Sequence, residues 1–318
     1  MELQFLGTGA GMPSKTRNTS ALLVNLTAEG RGYWLFDCGE ATQHQILHTS
    51  LKPRKIEKIF ITHLHGDHIF GLPGLISSRS FLGGHAPLQI YGPPGLKDWL
   101  WSTLKLTNTH LNYDLRIHEI TGEGIVIDEQ DFKVSVKHLE HVIHAFGYRI
   151  EQKPLPGKLL IEKAVEIGVP KGPLLKQLKD GEDVTLVDGR VVLSSDVTGQ
   201  PQEGFCVAIL GDTKYCQASI ELAKNADIIV HEATFDNETG ALAKEYGHST
   251  IGDAATVARE ANAKFLIANH ISARFLSNDL VQIKKQGQAI FENLQIAEDF
   301  ACYEWKNKAL IESRNHVR

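Results

Sequence analysis

The stretch richest in chemistry is His63-Leu64-His65-Gly66-Asp67-His68, three imidazoles and a carboxylate in six residues. The apolar KIFIT before it reads as a buried strand. Along an extended chain residues i and i+2 face the same way, so His63 and His65 can grip one ion together. Asp67 and His68 follow the turn, at the expected start of the next helix, and suit a second ion roughly 3.5 to 4 Å from the first. With 15 histidines in 318 residues, a chance HxHxDH has a probability of roughly 0.002, so the motif is a signal.

A lone histidine is more often structural than ligating, so each further ligand needs a positional reason. Three polar residues end apolar, strand-like runs: His141 after VSVKHLE, Asp212 after CVAILG and His270 after FLIAN. Strand ends are where such sites are built. His138 and His144 are close rivals of His141, whereas His44, His48, His85, His110, His118 and His316 lack this setting and read as structural or surface residues. Two adjacent ions can share one water, lower its pKa from 15.7 toward about 7 and polarise an ester or phosphodiester, which predicts a metal-dependent hydrolase. Histidine and aspartate without thiolate suit Zn(II), and the same donors accept Mn(II), Co(II) or Fe(II). Cys38, Cys206, Cys216 and Cys302 form no CxxC pair and read as free thiols. Gly7-Thr8-Gly9-Ala10-Gly11 lacks GxGxxG spacing and runs into Met12-Pro13, so it reads as a tight turn, not a dinucleotide loop.

The elements that must position these groups come in two series. LQFLG, ALLVNL, YWLFDCG, KIFITHL and LQIYGPP read as strands among the helical patterns EATQHQILHTS, GLPGLISSRSFLG and GLKDWLWSTLKL. FKVSVKHLEH, FGYRIE, FCVAILGDT, ADIIVHEAT and AKFLIANH repeat the theme, with helices after Tyr215 and Thr250. Strands layered with helices give an α/β (α+β) fold, read as one domain over 1–318. Residues 153–181 interrupt it with Pro- and Gly-flanked short helices, LLIEKAVEI and LLKQLK. Between 153 and 179 six lysines face two glutamates, a net +4 inside a chain of net charge -5. By itself a lysine-rich excursion reads equally well as a solvated face. Apolar residues at 42% supply a core. The N-terminus lacks a basic-then-apolar leader and no apolar run spans a bilayer, so a cytoplasmic location and no membrane contact are expected.

HLHGDH, Gly211-Asp212-Thr213 and His270, in that order, resemble the metallo-β-lactamase superfamily, which implies an αββα sandwich. The opening FLGTGAGMP, PSKTRN (13–18), FDCGE, HLHGDHIFGLPGL, GYRIE, GVPKGP, HEAT (231–234) and HST (248–250) resemble ribonuclease Z, nearest its bacterial short form, over most of the chain. That resemblance implies an endoribonuclease that removes the 3′ trailer of precursor tRNA. Metal-hydroxide attack after the discriminator nucleotide would leave a 3′-hydroxyl on the tRNA and a 5′-phosphate on the trailer. It also implies two zinc ions per subunit, one held by His63, His65 and His141, the other by Asp67, His68 and His270, with Asp212 bridging. Asp67 would further accept a proton from the water, His248 would assist the leaving oxygen and Glu232 would orient His248. The 153–181 arm would be a protruding exosite that grips tRNA through lysines such as Lys158, Lys163 and Lys171. Lys15, Arg17 and Arg79 would contact RNA near the metals, and a homodimer is the implied assembly.

Two other classes share parts of this pattern. A small-molecule hydrolase or phosphodiesterase on the same fold needs the metals and no distant RNA surface. A catalytically silent RNA-binding protein would need the arm and not the ligands, which are all present.

Overall fold

Short runs of β-branched and aromatic residues, broken by Gly, Pro and Asn, form strands that pair over long sequence distances. The computed structural model describes residues 1–314. From the N-terminus come β1 (Glu2–Gly7), β2 (Gly9–Ala10), β3 (Ala21–Asn25), β4 (Tyr33–Phe36) and α1 (Thr42–Leu47). Next are β5 (Ile56–Phe60), α2 (Gly66–Ile69), α3 (Leu72–Phe81), β6 (Leu88–Gly92), α4 (Leu96–Leu106) and β7 (Leu115–Glu119). Then follow β8 (Gly124–Asp128), β9 (Phe132–Leu139) and β10 (Ala145–Gln152). Two short helices, α5 (Ile161–Glu166) and α6 (Pro173–Lys179), precede the hairpin of β11 (Val184–Thr185) and β12 (Val191–Val192), then α7 (Ser194–Val197). β13 (Cys206–Leu210), α8 (Gln217–Ala223), β14 (Ile228–Glu232), α9 (Gly240–Tyr246), α10 (Ile251–Glu260) and β15 (Phe265–Asn269) alternate after that. β16 (Ile271–Ser272), α11 (Ser277–Gln288), β17 (Leu294–Ile296), β18 (Ala301–Lys306) and β19 (Ala309–Arg314) complete the order.

One sheet runs β19-β18-β1-β3-β4-β5-β6-β7 and the other β17-β15-β14-β13-β10-β9-β8, while β2 pairs with β16. Strands β4 to β7 of the first sheet and β13, β14, β15 and β17 of the second are parallel. Parallel strands bury both faces, and β4 and β14 are buried at every residue. Alternate residues of β4 and β5 point opposite ways. Leu35 and Ile59 join Leu72, Ile76 and Leu100 of α3 and α4 in one apolar cluster. Phe36 and Phe60 turn inward, stack at 4.7 Å and meet Tyr148 of β10. The Tyr148 hydroxyl donates to the Ile61 carbonyl at 2.7 Å, tying the two sheets together. The fold is thus the αββα sandwich.

The chain divides into two compact units. The larger comprises Met1–Val126, Val134–Arg149 and the chain from Val207 onward; the smaller comprises Ile127–Lys133 and Ile150–Cys206. The smaller unit therefore reaches beyond the 153–181 arm expected from sequence on both sides. The reason is its core: Ala164, Val169 and Leu178 of the helical half pack with Val184, Leu186, Val192 and Val197, which all lie beyond Gly181. Charge is segregated along it. Lys158, Lys163, Lys171, Lys176 and Lys179 are exposed, Lys153 pairs with Asp128 at 2.6 Å, and the unit as a whole has eight basic against twelve acidic side chains.

Candidate metal centre

β5 ends at Phe60, and Ile61–His65 continues as an extended loop into α2. His63 and His65 thus lie just past the strand where they were expected on it, yet still act together: His63 Nε2 is 3.1 Å from His65 Nδ1. His141 Nε2 lies 3.3 Å from the same His65 atom. His63, His65, His141 and Asp212 bring one donor atom each within 4.8 Å of the others, and so do Asp67, His68 and His270. Asp212 Oδ2 stands between the groups, 3.5 Å from His63 and 3.4 Å from both His68 and His270. His270 Nε2 is 3.2 Å from Asp67 Oδ2 and 3.3 Å from His68 Nε2. His138 and His144 pack against each other at 4.8 Å, and His138 against Phe146, apart from these groups.

The outer partners decide which ring nitrogen each histidine presents. His68 Nδ1 donates to Asp37 at 2.7 Å, and His141 Nδ1 to the Gly247 carbonyl at 2.7 Å. His63 Nδ1 donates to Thr62 Oγ1, whose own proton goes to Asp37. His270 Nδ1 donates to Thr234 Oγ1, whose proton goes to Glu232. Four Nε2 lone pairs and the His65 Nδ1 therefore converge on each other and on Asp212 at near-contact distances. Neutral imidazole lone pairs repel at such separations, and a cation among them removes the conflict, so this donor set fits divalent metal. Burial and the neighbouring His68 pull His63 well down. Burial opposes charge on His68 too, but Asp212 and Asp37 raise it well above the usual histidine range; the same carboxylates attract a metal ion. Asp37 and His270 both adopt the left-handed backbone region, φ 58° and 55°, strain of the kind stored at functional sites.

Beside the cluster, His248 Nδ1 lies 2.8 Å from Glu232 Oε1. Glu232 is locked by the Thr213 amide on Oε1 and by Thr234 on Oε2. Burial pulls the His248 imidazole down, but the Glu232 charge and hydrogen bond and the Asp212 charge outweigh it and raise it to about 9. The rest of the HST triplet is structural: Ser249 donates to the Thr213 carbonyl at 2.6 Å, and Thr250 caps α10 reciprocally with Asp253. Gly247, at φ 78°, closes α9, and a Cβ there would come within 3.1 Å of His141 Nδ1. A cleft of about 440 Å³ opens over the cluster, lined by His65, His141, His248, Phe235, Tyr246 and Arg274 among others.

Two basic residues do not take the place expected of them. Arg79 is 1% exposed; its guanidinium donates to the Ile56 and Ala86 carbonyls and lies 4.2 Å over the Tyr113 ring. Arg17, 7% exposed, donates to Thr8 Oγ1 and the Ala297 carbonyl, both at 2.6 Å. Both guanidiniums are turned into the protein, where they bond its own oxygens. Lys15 is exposed, as are Lys158, Lys163 and Lys171 in the smaller unit, and His316 lies outside the described residues. The sequence reading missed Asp37, Thr62, Thr234 and the Gly11 amide, which reaches Asp67 at 2.8 Å. Asp37 was within reach of the rule used for Asp212, since it too ends a buried run, YWLF.

Among known proteins, a family model described as anti-Pycsar protein Apyc1 matches residues 1–152, under half of the chain and without Asp212 or His270. Proteins named ribonuclease Z from Bacillus cereus (strain AH820) and Bacillus anthracis (strain CDC 684 / NRRL 3495) are each 54% identical to this chain over 303 residues. The match spans 95% of this chain and 99% of each relative. The crystal structure of human tRNase Z, short form, superposes with a TM-score of 0.69 at 32% identity, covering 96% of this chain and 99% of that one. The metallo-β-lactamase fold protein YhfI from Bacillus subtilis, at 19% identity and a TM-score of 0.66 over 96% and 99% of the two chains, shares the fold.

Proposed function

The chain belongs to the ribonuclease Z family, tRNA 3′-processing endoribonucleases, and we propose that it removes the 3′ trailer of precursor tRNA at the two-metal centre described above. The carrying observation is the convergence of His63, His65 and His141 on one side of Asp212, and of Asp67, His68 and His270 on the other. Zinc suits these nitrogen and carboxylate donors best. Two such ions would lower the pKa of a shared water and polarise the scissile phosphodiester. In the proposal Asp67 takes the proton of the attacking water. Charge and hydrogen bonding from Glu232 keep His248 protonated, and its second ring nitrogen delivers that proton to the departing 3′-oxygen of the discriminator nucleotide. The water oxygen stays with the trailer as its 5′-phosphate.

RNA binding is assigned to Lys15 in the loop between β2 and β3 and to the exposed lysines of α5, α6 and their flanks, including Lys158, Lys163 and Lys171. Five of the six lysines between 153 and 179 are exposed, which supports phosphate contact by that segment. A homodimer and action in the cytoplasm complete the proposal. No helix among the described residues is long and apolar enough to cross a membrane.

The test is cleavage of a 3′-extended precursor tRNA, with both product ends mapped, by the intact protein and by His65→Ala and Asp212→Asn. The expected result is one cut after the discriminator, lost in both variants, lost on chelation and restored by zinc. Metal-dependent hydrolysis of small phosphodiesters with the RNA left intact would replace the proposal by a small-molecule hydrolase.

A further inference from the structure

The loop between β2 and β3 touches the metal centre at one point. Gly11 sits at φ +70°, a conformation that favours glycine, with open space where a Cβ would be. Its amide donates to Asp67 Oδ2 at 2.8 Å, the same oxygen that lies 3.2 Å from His270 Nε2. That one backbone donor thus helps to set the rotation of a carboxylate shared by the ligand group. Residues 11–16 are exposed, and a hollow of about 550 Å³ borders Ser14–Arg17, opposite Phe275, Leu280 and Glu298. Packing therefore supports the loop on one side only, and its shape has to come from hydrogen bonds.

Those bonds converge on a buried relay. Arg17 Nη1 donates to Thr8 Oγ1 at 2.6 Å, and Thr8 passes its own proton to Asp299 Oδ1 at 2.6 Å. Asp299 Oδ2 accepts the Asn18 amide at 2.7 Å and Gln45 Nε2 at 3.0 Å. The Gly9 amide then bonds the Asn18 carbonyl, and the Thr8 carbonyl accepts the Ile271 amide, both at 2.8 Å. One relay thus fixes both ends of the loop and joins them to β16, the strand that follows His270.

We infer that Arg17, Thr8 and Asp299 are positioning residues that hold the Gly11 amide on Asp67 and so set the metal-binding carboxylate from the far end of the β2–β3 loop. The inference rests on the reading of Asp67 as a metal ligand. Partners one layer out from a ligand typically change metal affinity or activity by about 10- to 100-fold when removed. Thr8 is the cleanest lever: Thr8→Val keeps the shape and deletes the hydroxyl, and Thr8→Ser keeps the hydroxyl.

The experiment compares Thr8→Val, Thr8→Ser, Gly11→Ala and Asp67→Asn in the full-length protein. It reads zinc affinity by chelator competition, hydrogen exchange of the Gly11 amide in the parent and Thr8 variants, and kcat and KM on precursor tRNA. Thr8→Val should bind zinc about tenfold more weakly, exchange Gly11 faster and lower kcat about tenfold with KM within about twofold. Thr8→Ser should match the parent. If Thr8→Val does not fold, Gly11→Ala carries the test, since only its backbone conformation is strained. Parental zinc affinity and kcat in Thr8→Val and Gly11→Ala, beside loss of both in Asp67→Asn, overturns the positioning role while leaving the metal centre standing. An Asp67→Asn protein that keeps zinc and activity sinks the ligand reading and this inference with it.

Discussion

Three histidines share the seven residues from His138 to His144, and the partner of the second ring nitrogen separates them. His141 donates from Nδ1 to the Gly247 carbonyl and so presents Nε2 to His65, whereas His138 and His144 pack edge to face on each other. His141→Ala should lose about one metal equivalent per chain and at least 100-fold in kcat, while His138→Ala stays within about twofold of the parent. Metal content by elemental analysis together with kcat decides it, and equal losses in both variants would remove His141 from the ligand set. Arg79 belongs to stability instead. Arg79→Leu removes the hydrogen bonds to the buried Ile56 carbonyl and to the Ala86 carbonyl, which should cost roughly 2–4 kcal/mol in urea unfolding with KM for precursor tRNA unchanged. A raised KM at parental stability would return Arg79 to the RNA-binding surface. These cases mark what the sequence could disclose. His63, His141, Asp212 and His270 were legible because each is a polar residue closing an apolar run, and His65, Asp67 and His68 because the HLHGDH spacing sets them beside His63. The burial of Arg17 and Arg79 was not, because a basic residue beside a motif looks the same whether it meets RNA or a backbone carbonyl. Thr62 and Thr234 were silent too, since a hydroxyl that fixes a tautomer has no spacing rule.

The sandwich strands were legible as short apolar runs bounded by turn residues, and α5 and α6 from helical spacing. The far boundary of the inserted unit was not, because β11 and β12 have two residues each, too few to show alternation, and only their packing with Leu178 reveals that they complete a core. This has a practical consequence for deletion. Cutting after Lys179 would strand Val184, Val192 and Val197 in water. Leu155 and Gln202, by contrast, exchange both backbone hydrogen bonds at 3.0 Å, so residues 156–201 can be replaced by an Asn-Gly turn between them, the natural closure of such a pair. The excised protein should keep hydrolysis of bis-p-nitrophenyl phosphate within about threefold, because β10 and β13 are untouched. It should lose about 100-fold or more in kcat/KM on precursor tRNA, with a shallower salt dependence as lysine–phosphate contacts disappear. Unchanged tRNA cleavage would show that the basic segment is a solvated face only.

Large apolar side chains remain in water on the first helices of the larger unit: Leu47 is 69% exposed, Phe81 85% and Leu82 51%. Leu47 and Leu82 border one hollow of about 390 Å³ with Ile46 and Leu51. Apolar groups clustered on a surface mark association more often than chance, and the occupant that fits the proposed homodimer is a second copy of this face. Light scattering should give twice the 35.2 kDa of the chain, and Phe81→Asp should halve that mass without unfolding the chain. If one subunit holds the tRNA that its partner cleaves, the arm-excised protein and His65→Ala, each inactive on tRNA alone, must complement each other when mixed. Random exchange puts half of the dimers in the mixed state, each with one productive site in two, so about a quarter of parental cleavage should return. Phe81→Asp in both partners should abolish that recovery, because a monomer cannot borrow an arm. A mixture of proven heterodimers that stays inactive would confine recognition and cleavage to one subunit, and the exposed helices would then need another role.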